Sequence, residues 1–322
     1  MQAFILLVSM LLSLLCASGA CAQNYPLKTV RIVVPFPPVG AADLLSRTVG
    51  QKLSEATGQQ FIVDNRPGAG GNIGAELVAA APPDGYLLLM APVSSFAVGM
   101  AAYSKLNWNL EKSVVPVAMV ANVPHMLVVH PSLPARNVKE IVALGKAHPG
   151  ELNFASQGNG TLSHLEQEML KQLGGFTANH IPYKGSAPGL SDLIPGNVQL
   201  FFDSIPSSAP YVKTGRLRGI GVASSQRSPA LPDLPTIGES LKGFEADSWF
   251  GLMAPAGTPA GIVAKLSDVV AAASRSPDVI VALRAQGIEP TSSRPQEFAA
   301  FVRDQLELHR QLVKDVDLKI SE

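Results

Sequence analysis

The sequence predicts an α/β protein, in which helices cover the faces of β-sheets. Short apolar runs of strand length alternate along the chain with longer segments whose apolar residues recur at helical spacing. Turn-forming glycine and proline, 28 and 26 residues, separate these segments. A chain of 322 residues that is 47% hydrophobic is long enough for one large domain or two domains of ordinary size.

The charge balance and the cysteine content exclude several classes of function. The 25 Lys and Arg residues equal the 25 Asp and Glu residues, so the chain lacks the excess of positive charge that binding to nucleic acid or anionic lipid requires. Its two cysteines, Cys16 and Cys21, both lie near the start. The rest of the chain therefore has no disulfide, thiolate nucleophile or cysteine-ligated metal. We expect no cofactor, no metal and no nucleic-acid partner.

The first 22 residues have the pattern of a secretory signal peptide. They contain no charged residue, Phe4–Leu15 is mostly apolar, and Ala20-Cys21-Ala22 supplies the small residues that a signal peptidase recognises. We expect a mature protein that begins near Gln23 and is exported to the periplasm. A lipoprotein signal at Ser18-Gly19-Ala20-Cys21 is the second interpretation, because serine stands where leucine is usual.

Strands and helices are predicted in alternation over most of the chain. Strands are expected at Val30–Val34, Phe61–Val63, Tyr86–Met90, Val115–Val120, Met126–Val129, Leu152–Ala155, Val198–Phe202 and Ile220–Ala223. Helices are expected at Ala41–Leu53, Asn72–Ala81, Val138–Lys146, Thr161–Leu173, Ala187–Leu193, Ala260–Ser274 and Glu297–Val316. Helical spacing predicts two buried stripes: Leu162, Leu165, Met169 and Leu173, and Phe298, Val302, Leu306, Leu312 and Val316.

Two loops share one design, a strand that runs through a glycine-containing loop into a helix. The first is Pro35–Gly40 and the second is Ser156–Gly160. The first N–H groups of a helix lack partners and carry partial positive charge, so such a loop can hold an anion. Neither loop contains Lys or Arg, so an anion would depend on backbone amides, bridging waters and the hydroxyls of Ser156, Thr161 and Ser163. Both loops are equally consistent with ordinary turns of an α/β protein.

The glycine-rich segment Gly68–Gly74 lacks the spacing of a nucleotide-binding loop. It also follows Arg66-Pro67 instead of a strand. We interpret it as a tight turn into a helix.

Catalytic constellations are scarce, and several polar residues have two interpretations. His125 and His130 stand beside prolines and are better explained as turn residues than as metal ligands. His164 lies in the first turn of a predicted helix, where it faces a cleft or makes a local hydrogen bond. Asp203, at a strand end, accepts a ligand N–H or caps the next turn, and the cap is favoured. Tyr183 lines a cleft or covers a surface.

A series of motifs in order along residues 24–322 resembles the Bug family, the periplasmic substrate-binding proteins of tripartite tricarboxylate transporters. Each motif alone is weakly specific, whereas the whole series is specific. The matching segments are Tyr25-Pro26, Arg31–Gly40, Asn65–Gly74, Pro83–Tyr86, Gln157–Thr161, His164-Leu165, Tyr183–Gly185, Phe202-Asp203, Leu234–Thr236, Glu239 and Ala254–Pro259.

The resemblance implies a two-domain periplasmic-binding-protein (Venus-flytrap) fold, in which each domain is a mixed sheet flanked by helices. Domain I would comprise residues 23–122 and 248–322, and domain II residues 123–247. A small organic carboxylate would bind in the interdomain cleft of a monomer that serves the transporter's membrane subunits. The implied ligand-binding residues are Phe36, Pro37, Gly40, Ala41, Asp43, Ser94, Ser95, Ser156, Gly158, Thr161, His164, Tyr183 and Asp203.

One departure from the family pattern lies inside the first loop. Val39 stands where the family usually has glycine, and a β-branched residue restricts the backbone there. The fit of the ligand to this loop is therefore an open question at the level of sequence.

Two functions from different classes are consistent with these observations. The first is an exported receptor that captures a small organic acid by closure of two domains. The alternative is an exported α/β enzyme, a hydrolase or isomerase, that uses His164 and Asp203 as acid and base. Because the sequence shows no nucleophile–base pair, it favours the receptor.

Overall fold

The computed structural model describes residues 25–321. The predicted signal segment and its cysteines lie outside these residues. The strands are β1 (Val30–Val34), β2 (Phe61–Asn65), β3 (Leu87–Pro92), β4 (Val114–Asn122), β5 (His125–Val129), β6 (Asn153–Ser156), β7 (Asn179–Pro182), β8 (Leu200–Ser204), β9 (Arg218–Val222), β10 (Trp249–Pro255) and β11 (Glu289–Pro290). The helices are α1 (Ala41–Thr57), α2 (Asn72–Ala79), α3 (Val93–Ala102), α4 (Val138–Ala147), α5 (Leu162–Gly174), α6 (Ser186–Leu193), α7 (Ile205–Lys213), α8 (Ala260–Ser274), α9 (Pro277–Arg284) and α10 (Pro295–Asp315).

The strands form two separate mixed sheets. The first has the order β11-β4-β10-β3-β1-β2, with β1 parallel to both β2 and β3 and with β10 antiparallel to β3 and β4. The second has the order β7-β6-β8-β5-β9, with β6 parallel to β7 and β8 and with β5 antiparallel to β8 and β9. We call the first sheet with α1–α3 and α8–α10 lobe I, and the second sheet with α4–α7 lobe II.

Apolar residues on both faces of each sheet explain why helices cover both faces. In β1, Ile32 and Val34 pack on one side and Val33 on the other, and all three are fully buried. In β8, Phe202 and Phe201 point to opposite cores in the same way. This two-residue alternation places one hydrophobic core on each face of each sheet.

Local sequence sets the ends of helices in both lobes. Helix α1 stops at Gly58, which adopts a left-handed conformation with φ 71°, and α5 stops at Gly175 with φ 65°. Helix α4 begins at Asn137, whose side chain accepts the N–H of Glu140. Most predicted elements are present, with ends shifted by a few residues.

Two predicted stripes differ from the structure at their C-terminal ends. Leu173, in the last turn of α5, is 43% exposed, and Leu170 is buried instead. In α10, Leu312 and Val316 are only partly buried, and the buried positions are His309 and Val313. The sequence reasoning also missed some elements altogether: α3, α7, α9, β7, β10 and β11.

The chain crosses between the lobes twice. It passes from β4 to β5 through residues 123–124, and it returns from β9 to β10 through residues 223–248. Helix α10 adds a further link, since Phe298 packs in a core of lobe I and Val313 packs in a core of lobe II. The predicted domain boundaries remain a prediction, and the last turn of α10 contacts the lobe opposite to the one predicted.

Candidate functional site

A cavity lies between the lobes at the carboxyl ends of the strands, the edge where ligands bind in open α/β sheets. Its free volume is about 20 Å³, which accommodates about one water molecule. No lysine or arginine belongs to its wall within the part of the chain that the structure describes. The lining residues are Phe36, Pro37, Gly40, Ala41, Ala42, Pro92, Ser95, His125, Gln157, Ser186, Ala187, Ser204, Ser248 and Phe250.

Four helices begin at this cavity, two from each lobe. Gly40 and Pro92 precede α1 and α3 in lobe I, and Gly185 and Ser204 precede α6 and α7 in lobe II. None of these four residues makes a side-chain capping hydrogen bond. The first N–H groups of α1, α3 and α6 therefore have no side-chain cap, whereas at the start of α7 the N–H of Ile205 donates to Pro124 O at 3.0 Å and Pro206 has no N–H. All four helix dipoles present their positive ends to the cavity.

The first predicted loop, Pro35–Gly40, forms the lobe I wall of the cavity, and Asp43 holds it in place. The Asp43 carboxylate accepts the N–H of Val39 at 3.2 Å and the amide of Asn65 at 3.1 Å, and it forms an ion pair with Arg47 at 2.9 Å. Burial alone would raise the pKa of Asp43, but these partners hold it below its usual value. Asp43 therefore fixes the loop from behind and is not among the lining residues.

The second predicted loop, Ser156–Gly160, uses its hydroxyls internally. Thr161 Oγ1 donates to Gly158 O at 2.7 Å, and Ser163 Oγ donates to Phe202 O at 2.8 Å. Ser156 Oγ lies 2.6 Å from His180 Nε2. All three hydroxyl residues are fully buried, and only Gln157 of this loop lines the cavity. The expectation that these hydroxyls hold an anion does not fit this geometry.

His164 stabilises the second loop through a hydrogen bond and a ring contact. Its Nδ1 accepts the N–H of Gly160 at 3.3 Å, and its ring stacks on that of His180 with centroids 3.8 Å apart. Burial, with the adjacent His164 as a smaller cause, lowers the pKa of His180 to about 3. Of the two interpretations of His164, the local hydrogen bond is the one the structure shows.

Asp203 lies one residue before the end of β8, as predicted, and it is fully buried. Its Oδ1 accepts the hydroxyl of Ser186 at 2.5 Å and the amide of Gln157 at 2.9 Å, and it therefore orients two residues of the cavity wall. Oδ2 has no hydrogen-bond partner. Burial raises the pKa of this carboxyl.

Two further predicted residues make contacts within the protein. Ser94 Oγ donates to Asp247 O at 2.8 Å and joins α3 to the return crossing between the lobes. Tyr183 donates its hydroxyl to Asp192 at 2.7 Å. Neither residue lines the cavity, whereas Ser95, next to Ser94, does.

Two contacts between the lobes involve glycines, at positions where a side chain would clash with the opposite lobe. A Cβ on Gly70 of lobe I would overlap the carbonyl oxygen of Asn159 in lobe II. A Cβ on Gly185 of lobe II would lie 2.8 Å from Pro37 Cδ in lobe I. The segment Gly68–Gly74 is the tight turn into a helix that we predicted, and it is also a contact between the lobes.

Several lining residues escaped the sequence reasoning. His125 was interpreted as a turn residue, but it is the first residue of β5 and is buried. Ser186, Ala187 and Ser204 were not predicted as ligand-binding residues, although a helix was predicted at Ala187–Leu193, and α7 was not predicted. Pro206, near the start of α7, was a usable indication of a helix start.

Two lobes that enclose a cleft and are joined by two crossings define a two-lobed solute-binding protein. Within residues 25–321, no helix combines the length and hydropathy needed to cross a bilayer. The same residues contain no group of three side chains able to hold a metal ion.

Comparison with known proteins identifies the family. Residues 45–318 match TctC, the tripartite tricarboxylate transporter family receptor. Protein BugT of Bordetella pertussis is 35% identical over 95% of this chain and 94% of its own. The chain therefore belongs to the TctC family, and the predicted resemblance to Bug proteins is confirmed.

Solved structures agree with this assignment. R. palustris Rpa4515 with adipate has a TM-score of 0.89 and 36% identity, covering 92% of this chain and 99% of its own. The periplasmic binding protein BugD has a TM-score of 0.87 and 32% identity, covering 92% and 99%. MatC from Rhodopseudomonas palustris with bound malate has a TM-score of 0.84 and 31% identity, covering 90% and 100%. Because the family is one of transporter receptors, the alternative of an enzyme using His164 and Asp203 is not supported.

Proposed function

We propose that this chain is a periplasmic receptor that binds a small organic dicarboxylate in the cleft between its lobes. The convergence of four uncapped helix starts on one cavity supports this proposal most directly. Two of these starts belong to each lobe, so each lobe can hold one carboxylate. The structures of Rpa4515 with adipate and MatC with malate support the same class of ligand.

Binding requires the lobes to move apart and close again. A free volume of about 20 Å³ is too small for an acid of several carbon atoms, which must therefore enter while the lobes are separated. Once the lobes close, backbone N–H groups from both lobes surround the acid and replace its water. The ligand then stabilises the closed form because it contacts both lobes at once.

The predicted site residues divide between two roles in this proposal. Phe36, Pro37, Gly40, Ala41 and Ser95 line the cavity and would contact the ligand directly. The remaining predicted residues would act by fixing the wall: Asp43, Ser94, Ser156, Gly158, Thr161, His164, Tyr183 and Asp203.

A charge placed at the start of α6 tests the proposed site. Ala187 is exposed, lines the cavity and lies in the first turn of α6. An aspartate there favours the helix itself but repels an anion in the cleft. We expect Ala187→Asp to keep the melting temperature of the free protein and to weaken binding of adipate or malate roughly ten- to hundredfold. Ala187→Asn, which has the same shape without the charge, should retain most of the affinity.

The measurement is a thermal-shift screen of small organic acids on the mature protein, followed by calorimetry of each acid that binds. If adipate, malate and related dicarboxylates all leave the melting temperature unchanged, the proposed ligand class is wrong. Equal affinity of Ala187→Asp and Ala187→Asn would place the acid elsewhere.

The proposal includes export, a monomeric state and delivery of the acid to the transporter's membrane subunits. Cleavage of the signal before Gln23 predicts a mature chain without either cysteine. The intact mass of the protein recovered from the periplasm checks this, because lipidation at Cys21 would add the mass of the acyl chains.

A further inference from the structure

A buried ion pair stands behind the lobe II wall of the cavity, and neither partner belongs to the predicted site. His125 is 3% exposed and lines the cavity at the start of β5. Its Nδ1 lies 2.8 Å from Oε2 of Glu166, which is fully buried in α5. Since Nδ1 is committed to Glu166, Nε2 is the ring nitrogen left to bind another group.

The ion pair is oriented so that its histidine is the partner nearer to the cleft. His125 belongs to the cavity wall, whereas Glu166 does not and lies in the interior of lobe II. The positive end of the pair is therefore nearer to the cleft and the negative end is behind it. This orientation adds to that of the helix starts, which also present their positive ends to the cavity.

Comparison of two buried histidines, His309 and His125, shows how the Glu166 carboxylate changes the pKa of a buried ring. His309 in α10 bonds through Nδ1 to the carbonyl of Gln305, and burial lowers its pKa to about 4. Burial would act on His125 in the same way, but the charge and hydrogen bond of Glu166 raise the pKa of His125 above its ordinary value. The second carboxyl acting on the ring is Asp203 in β8, whose own pKa is raised by burial.

Resting on the function proposed above, we infer that His125 is a ligand-binding residue whose Nε2–H donates to a carboxylate of the acid in the cleft. Glu166 is its positioning residue, which holds the ring in orientation and in its charged form. The site thus contains a buried cationic donor, although no lysine or arginine among residues 25–321 lines it. Affinity for the acid is then full at pH values below the pKa of His125 and falls as the pH rises through it.

Two substitutions test the pair by calorimetry with adipate and malate between pH 6 and 9. Glu166→Gln retains a hydrogen-bond acceptor for Nδ1 but removes the charge. We expect affinity at pH 7.5 to fall roughly tenfold and the pH-dependent loss of binding to move toward lower pH. His125→Gln should bind weakly at all pH values, by roughly ten- to hundredfold. The control His309→Gln removes a buried histidine away from the cleft and should leave affinity unchanged.

A two-bond ¹H–¹⁵N correlation spectrum of the free protein tests the same idea without a ligand. We expect both ring nitrogens of His125 to carry protons at pH 6, those of Glu166→Gln to show the neutral ring, and His309 to be neutral in both proteins. A neutral His125 ring in the wild type overturns the inference even if a variant fails to fold.

The outcomes separate this inference from the proposed function. A wild-type protein that binds neither adipate, malate nor any other organic acid overturns both. If the wild type and His125→Gln bind an acid with the same affinity and the same pH profile, the role of His125 is rejected. The proposed receptor function is then retained.

Discussion

The loops Pro35–Gly40 and Ser156–Gly160 have the same design in sequence and different roles in the structure. The first lines the cavity with its own residues and the start of α1, while Asp43 holds it from behind. The second has its polar groups bonded to one another and to His180, and it contributes Gln157 alone to the wall. In the proposed function the first loop is the binding surface, whereas the second is a support that also contacts lobe I.

The contrast shows that a glycine-containing loop before a helix permits anion binding but does not by itself indicate a binding site. In the first loop, the capping position is Gly40, which has no side chain, so the first amides of α1 stay open toward the cavity. In the second, Thr161 bonds back to the loop, and Ser95 of lobe I accepts the N–H of Leu162 at 3.2 Å. The first amide of α5 is therefore already occupied.

The largest effect should come from the point where the second loop meets lobe I. Gly70→Ala places a Cβ against the carbonyl of Asn159 and should prevent full closure of the lobes. Overpacking of this kind costs about 1–3 kcal/mol, so affinity for the acid should fall roughly ten- to hundredfold. Calorimetry gives the affinity, and small-angle scattering of the ligand-bound protein should show a larger radius of gyration.

Gly58→Ala is the matched control for this substitution. Gly58 has φ 71° and Gly70 has φ 61°, so alanine has a similar backbone cost at both positions. A Cβ at Gly58 has no neighbour within 4 Å. Both variants should melt at similar temperatures, and only Gly70→Ala should bind weakly. Equal affinities would mean that the lobes do not close through this contact.

The next largest effect is a difference in how the stability of the two loops depends on pH. His180 is neutral in the fold, with its pKa lowered to about 3 chiefly by burial, so opening of the second loop takes up a proton at any pH between about 3 and 6.5. Its stability therefore falls as the pH falls through this window, and the open population rises by up to roughly tenfold per pH unit. The pKa of Asp43 is lowered, so the support of the first loop persists until the pH falls through that lower value.

Hydrogen exchange at pH 7 and pH 5, corrected for the intrinsic rate, measures this difference. We expect faster exchange at Gly158–Gly160 at pH 5 and little change at Val39. In His180→Gln the acid sensitivity of the second loop should disappear. Equal acceleration in both loops would assign the effect to global opening.

Elements with strong local patterns were predictable, and contacts between distant segments were not. The periodicity of α1 and the short apolar run of β1 identify both elements from neighbours in sequence. The cavity wall depends on which loops meet across the lobes. His125 is an example, because its partner Glu166 is 41 positions away and the sequence shows only a histidine beside a proline.

The resemblance to a family grouped residues around the cavity without separating their roles. Gly40 and Ala41 line the cavity. It also grouped Asp43 and His164 with them, although both act through hydrogen bonds that hold the loops. Residues that support a wall and residues that form it look alike in sequence, because a ligand requires both.

Val39 gives the smallest expected effect and concerns the first loop. It has φ 74°, a left-handed conformation that costs an ordinary residue about 1–2 kcal/mol, and its side chain is 84% exposed. Glycine would remove this strain. Its greater conformational freedom in the unfolded chain, however, lowers the resulting gain in the free energy of unfolding by about 0.5–1 kcal/mol. We expect Val39→Gly to raise the melting temperature by about 1–3 °C and to change affinity by no more than about twofold.

Val39→Ala distinguishes strain from packing at this position. It keeps a Cβ at the same φ, and the N–H that Asp43 accepts is present in all three proteins. Its melting temperature should stay close to that of the wild type. A lower melting temperature for Val39→Gly would show that the exposed valine stabilises the loop through contacts, and the departure from the family's glycine would then be a gain for this chain. A large change in affinity would instead mean that the valine side chain reaches the bound acid.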